Sequence, residues 1–221
     1  MSDNLQRPST LSEPVISPLK RLRRSIARYL VVPLIGGVFG ACANDANFTQ
    51  NATSTNFIIA ANLYALTGTS PELPAAYEAS SNSFVRPLVG QFSGTANFEL
   101  AFDIRADGKV LLMPVRSVIP FAPAPNGGAP SIALLKSAQP FDVVTRAPAN
   151  AVFVNDSVAV ASAGDTFLIK VNTSNCVYGE PLYGKIVIDS VIIAQRRMVV
   201  RALTNLNCGG YRSLTIGIPK D

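Results

Sequence analysis

The sequence contains no histidine and no tryptophan, and only 15% of its 221 residues are charged. Histidine is the commonest general base and a frequent zinc ligand, so its absence excludes the usual catalytic triads and most zinc sites. The hydrophobic content of 48% excludes a wholly disordered chain. A chain of this length forms one domain or at most two small ones.

Positive charge is concentrated near the N-terminus. Six of the 19 basic residues and only two of the 14 acidic residues precede Cys42, so the rest of the chain is nearly neutral. The only basic cluster beyond this tract is Arg196, Arg197 and Arg201, which we interpret as solvated residues around a hairpin turn. A nucleic-acid surface needs a basic cluster on the folded part, so we expect no nucleic-acid partner.

An apolar run, residues 29–39, follows the basic tract and leads into Gly40-Ala41-Cys42. A positive segment, a short apolar stretch and small residues are typical of an export signal. The run of 11 residues is too short for a spanning helix, which needs about 20 residues. We therefore predict that residues 1–41 are a signal peptide that is removed.

Gly40-Ala41-Cys42 resembles the lipobox of bacterial lipoproteins, although Phe39 replaces the usual leucine. The resemblance implies that Cys42 carries fatty acyl groups such as palmitate and becomes the first mature residue, anchored in the membrane. Because Ala43 rather than an aspartate follows, it implies the outer membrane rather than the inner one. Two alternatives stay open: ordinary cleavage after Ala43, and a cytoplasmic protein with a chance apolar patch.

The three cysteines fit this interpretation. If Cys42 carries lipid, then Cys176 and Cys208 remain as one pair, 32 residues apart, and the segment between them is typical of a hairpin. A hairpin returns its two ends to the same place, so we predict a disulfide that stabilises the fold by about 3–4 kcal/mol. The alternative is two unpaired buried thiols.

Residues 42–55 are polar and poor in bulky side chains, which predicts a flexible tether ahead of a β-rich exported domain, residues 56–221. Short apolar segments separated by Gly, Pro and Asn predict an all-β fold, either an antiparallel β-sandwich or a partly open barrel. The predicted strands are residues 56–66, 98–104, 109–115, 131–136, 141–146, 151–154, 157–161, 166–171, 183–193, 198–204 and 212–218. Residues 70–94 predict loops with one short strand.

The acidic residues do not form a convincing catalytic or metal-binding pattern. Glu99 and Asp103 alternate with apolar residues, which places both on the solvent face of one strand, about 13 Å apart. That distance is too long for a glycosidase pair. Asp103 to Gly108 resembles part of a calcium loop, but Arg105 and Pro114 occupy ligand positions, so a hairpin turn is the better interpretation. We predict no enzyme activity, no cofactor and no metal.

Three tyrosines, Tyr178, Tyr183 and Tyr211, lie near the paired cysteines in the sequence. One hypothesis is that they form a face that binds a sugar or a peptide. The other, which we favour, is that they pack on strand faces around the disulfide.

The segment from Cys176 through Pro181-Leu-Tyr-Gly-Lys185 to Leu214 resembles the C-terminal part of uncharacterised exported bacterial lipoproteins. The resemblance extends back to about Tyr64 and implies a signal, a lipobox and a β domain with paired cysteines. It implies no activity. We therefore expect an envelope lipoprotein with a structural or interaction role and an envelope protein or a glycan as partner. The alternative is an exported module that binds a glycan or a peptide.

Overall fold

The computed structural model describes residues 51–89, 96–119, 131–173, 176 and 179–220. Within these ranges the regular structure is dominated by antiparallel strands, which confirms the all-β prediction. The strands are β1 (Ile59–Tyr64), β2 (Ala76–Glu78), β3 (Ser83–Val85), β4 (Leu100–Ile104), β5 (Val110–Pro114), β6 (Ser131–Lys136), β7 (Val154–Asn155), β8 (Ala159–Ala161), β9 (Thr166–Asn172), β10 (Leu182–Ile192) and β11 (Arg197–Asn205). One short helix, α1 (Val115–Val118), follows β5.

The strands form two sheets. A six-stranded sheet has the order β1-β11-β10-β9-β6-β7, and a five-stranded sheet has the order β3-β2-β4-β5-β8. A continuous apolar core includes buried side chains from both sheets, such as Phe102 and Leu112 from one and Ile169 and Ile186 from the other. Two open sheets that share a core are the arrangement of a β-sandwich.

The predicted hairpin at Asp107-Gly108 is confirmed. Strands β4 and β5 pair with Ile104 opposite Val110, and Gly108 occupies the turn at a φ of 79°. Glycine reaches this conformation without steric cost. A Cβ atom at Gly108 would also lie 2.7 Å from the Ile193 side chain, so two constraints favour glycine here.

Strands β10 and β11 form the longest hairpin, as the sequence predicts. The turn is a 3-10 segment, Ile193–Gln195, followed by Arg196 in the left-handed conformation at a φ of 46°. The two strands pair from Ile192 opposite Arg197 down to Tyr183 opposite Asn205, with one bulge beside Asp189. This hairpin forms the centre of the six-stranded sheet and presents one face to the core and the other outwards.

Two predicted strands are wrong. Residues 141–146 form a turn in which the amides of Val143 and Val144 donate to the carbonyl of Pro140. Residues 212–218 make only isolated bridges. Some apolar residues of the two segments instead cover the outer face of the six-stranded sheet, where Phe141, Val144 and Leu214 are buried. Covering a sheet and joining a sheet both bury an apolar run, so the sequence pattern does not separate them.

The predicted half-buried character of β4 is also wrong. Leu100, Ala101 and Phe102 are all buried, because α1 and neighbouring residues cover the second face of the strand. Glu99, expected on a solvent face, is only 8% exposed. Residues 70–94 contribute β2 and β3 where one short strand was expected, and the structure does not describe residues 90–95.

Residues 1–41 and Cys42 lie outside the described residues, so the predicted signal peptide and lipidation site stay predictions. Among the described residues, none of the helices has both the length and the apolar character required to span a bilayer. Residues 51–55 belong to the predicted tether and are described. Within this stretch, the amides of Thr53 and Ser54 are hydrogen bonded to Asn207 of the β domain.

Candidate binding site on the outer face of the six-stranded sheet

The two cysteines predicted to pair lie together at one end of the sandwich. Their sulfur atoms are 2.10 Å apart and their Cα atoms 5.3 Å apart, so the pair lies at disulfide-bonding distance. Cys176 belongs to the buried core and Cys208 packs against it. The pair joins the segment before β10 to the segment after β11.

Asn207, next to Cys208, fastens the N-terminal segment to this end of the sandwich. Its side-chain oxygen accepts hydrogen bonds from the amides of Thr53 and Ser54, both at 2.8 Å. Its side-chain nitrogen donates to the Ser54 carbonyl at 2.8 Å. The described chain is therefore attached to the domain at Thr53 and Ser54, which follow Cys42 by 11 and 12 positions in the sequence.

The two described tyrosines near the cysteines are packed against the domain. Tyr183 and Tyr211 are both buried, and Tyr178 lies outside the described residues. The Tyr183 ring meets the Phe153 ring edge-on, and the Arg212 guanidinium lies 5.8 Å from the Tyr183 centroid. Tyr183 therefore does not offer a free aromatic face to a ligand.

Lys185 is a buried lysine at the middle of β10 that sequence reasoning did not single out. Its side chain emerges on the outer face of the sheet and is only 4% exposed. The ammonium group donates to the carbonyls of Phe141 at 2.9 Å and Val144 at 2.7 Å. Lysine is rarely buried without such partners, so these bonds explain how the turn after Pro140 is held against the sheet.

Phe141 lies between two cations. The Lys185 nitrogen is 4.6 Å from the ring centroid, and the Arg201 guanidinium carbon is 4.8 Å from it. Arg201 is on β11 and contacts two carboxylates, with Nη1 2.9 Å from an Asp142 oxygen and Nε 2.8 Å from an Asp189 oxygen. Two cations therefore lie close to this aromatic ring, and the two carboxylates that bind Arg201 balance their formal charges.

The pKa values in this cluster move in opposite directions. Burial lowers the pKa of Lys185, because desolvation disfavours the ammonium form, while the Asp142 charge partly offsets that effect. The pKa of Arg201 is raised by its hydrogen bonds to Asp189 and Asp142. The Lys185 ammonium group donates hydrogen bonds to two carbonyls, which stabilise its charged form. Lys185 therefore acts here as a hydrogen-bond donor.

A cavity of about 230 Å³ opens beside Lys185. Its walls come from β10, from the turn that Lys185 holds and from the C-terminal segment near Leu214. Four aliphatic side chains, two threonines and two charged residues line it: Ile58, Val144, Leu214, Ile216, Thr145, Thr215, Asp142 and Lys185. An apolar hollow with a few convergent polar groups is the usual composition of a ligand site.

A second buried polar cluster lies inside the sandwich around Tyr77. The Tyr77 hydroxyl donates to the Asn82 side-chain oxygen at 2.7 Å and lies 2.6 Å from the Thr204 hydroxyl. Asn82 also accepts from the Thr204 amide at 3.0 Å and holds a left-handed backbone with a φ of 51°. Burial raises the pKa of Tyr77 well above its usual range, so this hydroxyl stays protonated and structural.

Glu99 borders that cluster. Its carboxylate accepts a hydrogen bond from the Ala79 amide at 2.7 Å, and Ser80 contributes a second interaction. Burial raises the pKa of Glu99, and these hydrogen bonds only partly offset the effect. Its bonded partners belong to the turn between β2 and β3, so we interpret Glu99 as a group that fixes this turn.

The basic residues at the β10–β11 turn are not simply solvated, contrary to expectation. The Arg196 guanidinium donates to the Thr67 carbonyl at 2.8 Å, to an Asp103 oxygen at 3.0 Å and to the Ile104 carbonyl at 3.0 Å. Asp103, whose sequence context resembles part of a calcium loop, therefore binds an arginine in the structure. Across the described ranges, no cluster of three or more His, Cys, Asp or Glu could hold a metal ion.

The sequence did carry one signal for the Lys185 site. The segment Leu182 to Ile188 is apolar except for Lys185 and one glycine, and a charge within such a run is unusual for a buried strand. Phe141 and Asp142 follow a proline in a different segment, and nothing in the local pattern brings them to Lys185.

The chain was compared with protein-family models, with curated proteins and with solved structures, and none of the three comparisons found a match.

Proposed function

We propose that this chain is a lipid-anchored protein of the bacterial cell envelope whose β-sandwich has a structural or interaction role rather than an enzymatic one. The observation that carries the proposal is the order of features before the domain. A basic tract and an apolar run lead directly to Gly40-Ala41-Cys42, and the chain is fastened to the domain by Asn207 only about ten residues later. This order suits a lipid anchor followed by a short link.

The hydrogen bonds of three charged groups support a role without catalysis. The buried Lys185 and Glu99 and the partly exposed Arg196 each hold backbone groups of another segment through hydrogen bonds. Groups bound in this way maintain the architecture of the fold. The neighbouring cysteines support export, because a disulfide forms and persists in an oxidising compartment.

For the membrane, we propose the outer one, because Ala43 rather than an aspartate follows the cysteine. The partner would be another envelope protein or a glycan within reach of the anchor. A fully extended residue adds at most about 3.6 Å, so the link from Cys42 to Thr53 spans no more than about 40 Å.

The alternative is a binding module for a glycan or a peptide. One observation favours it specifically: the cavity beside Lys185 combines an aliphatic lining with a buried ammonium group. Such a composition suits recognition of a small part of a larger molecule.

The anchor is tested by Cys42→Ser, followed by metabolic labelling with an alkyne fatty acid and fractionation of the envelope. We expect labelling of the native chain and loss of label and of membrane attachment in the variant. The control is the double variant Cys176→Ala/Cys208→Ala, which should keep the label. Label that persists in Cys42→Ser, or a native mass that retains residues 1–41, would contradict the proposal.

A further inference from the structure

The strongest unassigned feature is the cavity beside Lys185, and its lining narrows the class of ligand. Its volume of about 230 Å³ is below the range of about 300 Å³ and above that holds drug-sized molecules. Half of its lining residues are aliphatic: Ile58, Val144, Leu214 and Ile216. A sugar ring would place several hydroxyl groups against these side chains without hydrogen-bond partners, which is unfavourable. The cavity therefore suits one aliphatic side chain.

The polar groups indicate what accompanies that side chain. An ammonium group has three N–H donors, and two of those on Lys185 reach the carbonyls of Phe141 and Val144. Within the described ranges the Lys185 ammonium group makes no third hydrogen bond, and its nitrogen lies 4.6 Å from the Phe141 ring centroid. The third donor therefore suits an oxygen of the ligand, and Asp142 and Thr145 on the rim offer acceptors for an N–H group.

Charge argues that the ligand is neutral. The charges of Lys185 and Arg201 are balanced by those of Asp142 and Asp189, which contact Arg201. A carboxylate in the cavity would meet Asp142, and a cation would meet Lys185, so either one would leave an unbalanced charge. A peptide group has one carbonyl acceptor and one N–H donor and carries no charge, which matches the donors and acceptors in place.

The rim is also apolar enough to contact a chain that passes over the cavity. Ile216 is 69% exposed and Val143, beside the lining residues Asp142 and Val144, is 57% exposed. Large aliphatic side chains exposed beside a cavity with polar groups are typical of an interaction site.

From these observations we propose that the Lys185 cavity binds one aliphatic residue of an extended peptide segment, with Lys185 donating a hydrogen bond to its backbone carbonyl. The proposal deepens the peptide-binding alternative above and rests on that part of the proposed function alone. It does not depend on the lipid at Cys42.

The test is a methyl NMR titration of the full chain in detergent with N-acetyl-leucine methylamide. We expect saturable shifts of the methyl groups of Ile58, Val144, Leu214 and Ile216, with weak affinity, because a ligand of this size makes few contacts. N-acetyl-leucine, which carries a carboxylate, and N-acetylglucosamine should both bind at least about threefold more weakly. Tighter binding of either one, or shifts that do not saturate, would overturn the assignment.

Two matched variants locate the site. Ile216→Ser should weaken binding of the methylamide at least about threefold, whereas Ile218→Ser, which alters an exposed isoleucine outside the cavity, should leave it unchanged. Equal losses in the two variants would show nonspecific apolar association and contradict the proposal. Lys185→Met should also weaken binding, and unchanged binding in that variant would remove the lysine from the site.

This design separates the two proposals. Binding of the methylamide, combined with a native envelope chain whose mass shows no lipid at Cys42, would support the cavity and contradict the anchor. Lipid at Cys42 without binding would support the anchor and contradict the cavity.

Discussion

The two faces of the six-stranded sheet are built differently. The inner face packs against the five-stranded sheet through aliphatic side chains such as Ile186, Ile188 and Val200, all buried. The outer face carries Lys185, Arg201 and Asp189 and is covered by segments without regular strands. The inner face packs against a second sheet, whereas on the outer face an apolar cluster and a few charged contacts together hold segments without regular strands.

This difference assigns stability and recognition to separate sides of one sheet. Apolar packing between two sheets is dense and tolerates little change, which suits a scaffold. Segments that a lysine and an arginine hold against the sheet lie beside a cavity, which suits a site that accepts a partner. The predictions below test whether the two faces really differ in this way.

The largest effect is expected at the disulfide, which closes the end of the inner core. Replacing both cysteines, Cys176→Ala and Cys208→Ala, should lower the free energy of unfolding by about 3–4 kcal/mol, because the loop between them spans 32 residues. Urea denaturation of the oxidised native chain and of the double variant measures this difference in the free energy of unfolding. Free thiols in material purified from the envelope, or equal stability of the two proteins, would contradict the prediction.

A smaller effect is expected on the outer face. Lys185→Met keeps an unbranched side chain but leaves two carbonyls without their donor, so it should lower the free energy of unfolding by about 1–3 kcal/mol. Lys170→Met on β9 is the control, because Lys170 is only half-buried, and it should change stability by less than about 0.5 kcal/mol. A Lys185→Met variant as stable as the control would mean that the lysine does not hold the turn after Pro140 against the sheet.

The smallest effect is a pH dependence from Glu99. The pKa of Glu99 is raised in the folded state, so the protonated group favours the fold below the unfolded value near 4.5 and this contribution is lost as pH rises through the folded pKa. The stability of Glu99→Gln relative to the native chain should therefore increase between about pH 4 and about pH 8. Denaturant midpoints at several pH values measure this difference, and a difference that stays constant or falls would show that burial does not control Glu99.

The sequence predicted the parts of this fold that depend on local patterns. The hairpin at Gly108, strand β6 and the hairpin of β10 and β11 follow from alternation and turn residues, and all three were found. Glu99 was wrongly predicted to be exposed, because its hydrogen-bond partners come from the turn between β2 and β3, about 20 residues earlier. Segments 141–146 and 212–218 were misassigned because burial against a sheet face gives the same apolar pattern as pairing within a sheet.

The candidate site was less predictable than the fold. The charge of Lys185 within an apolar strand was one signal in the sequence, and it was not interpreted as a site, whereas Phe141, Arg201 and Leu214 come from separate segments. Their meeting depends on the path of the chain over the outer face. Long-range contacts of this kind leave no periodic signal in one sequence.

The contrast between the two faces is tested most directly by native-state hydrogen exchange of individual backbone amides. We expect the ladder amides of Ile186 and Val200 to exchange only through global unfolding. The amides of Ala147 and Leu214, which bond to the carbonyls of Arg212 and Thr145, should exchange through local opening at a distinctly lower free energy. Equal exchange free energies for both pairs would show that the strands of the sheet and the segments packed on its outer face unfold as one unit. That result would contradict the division of roles between the two faces.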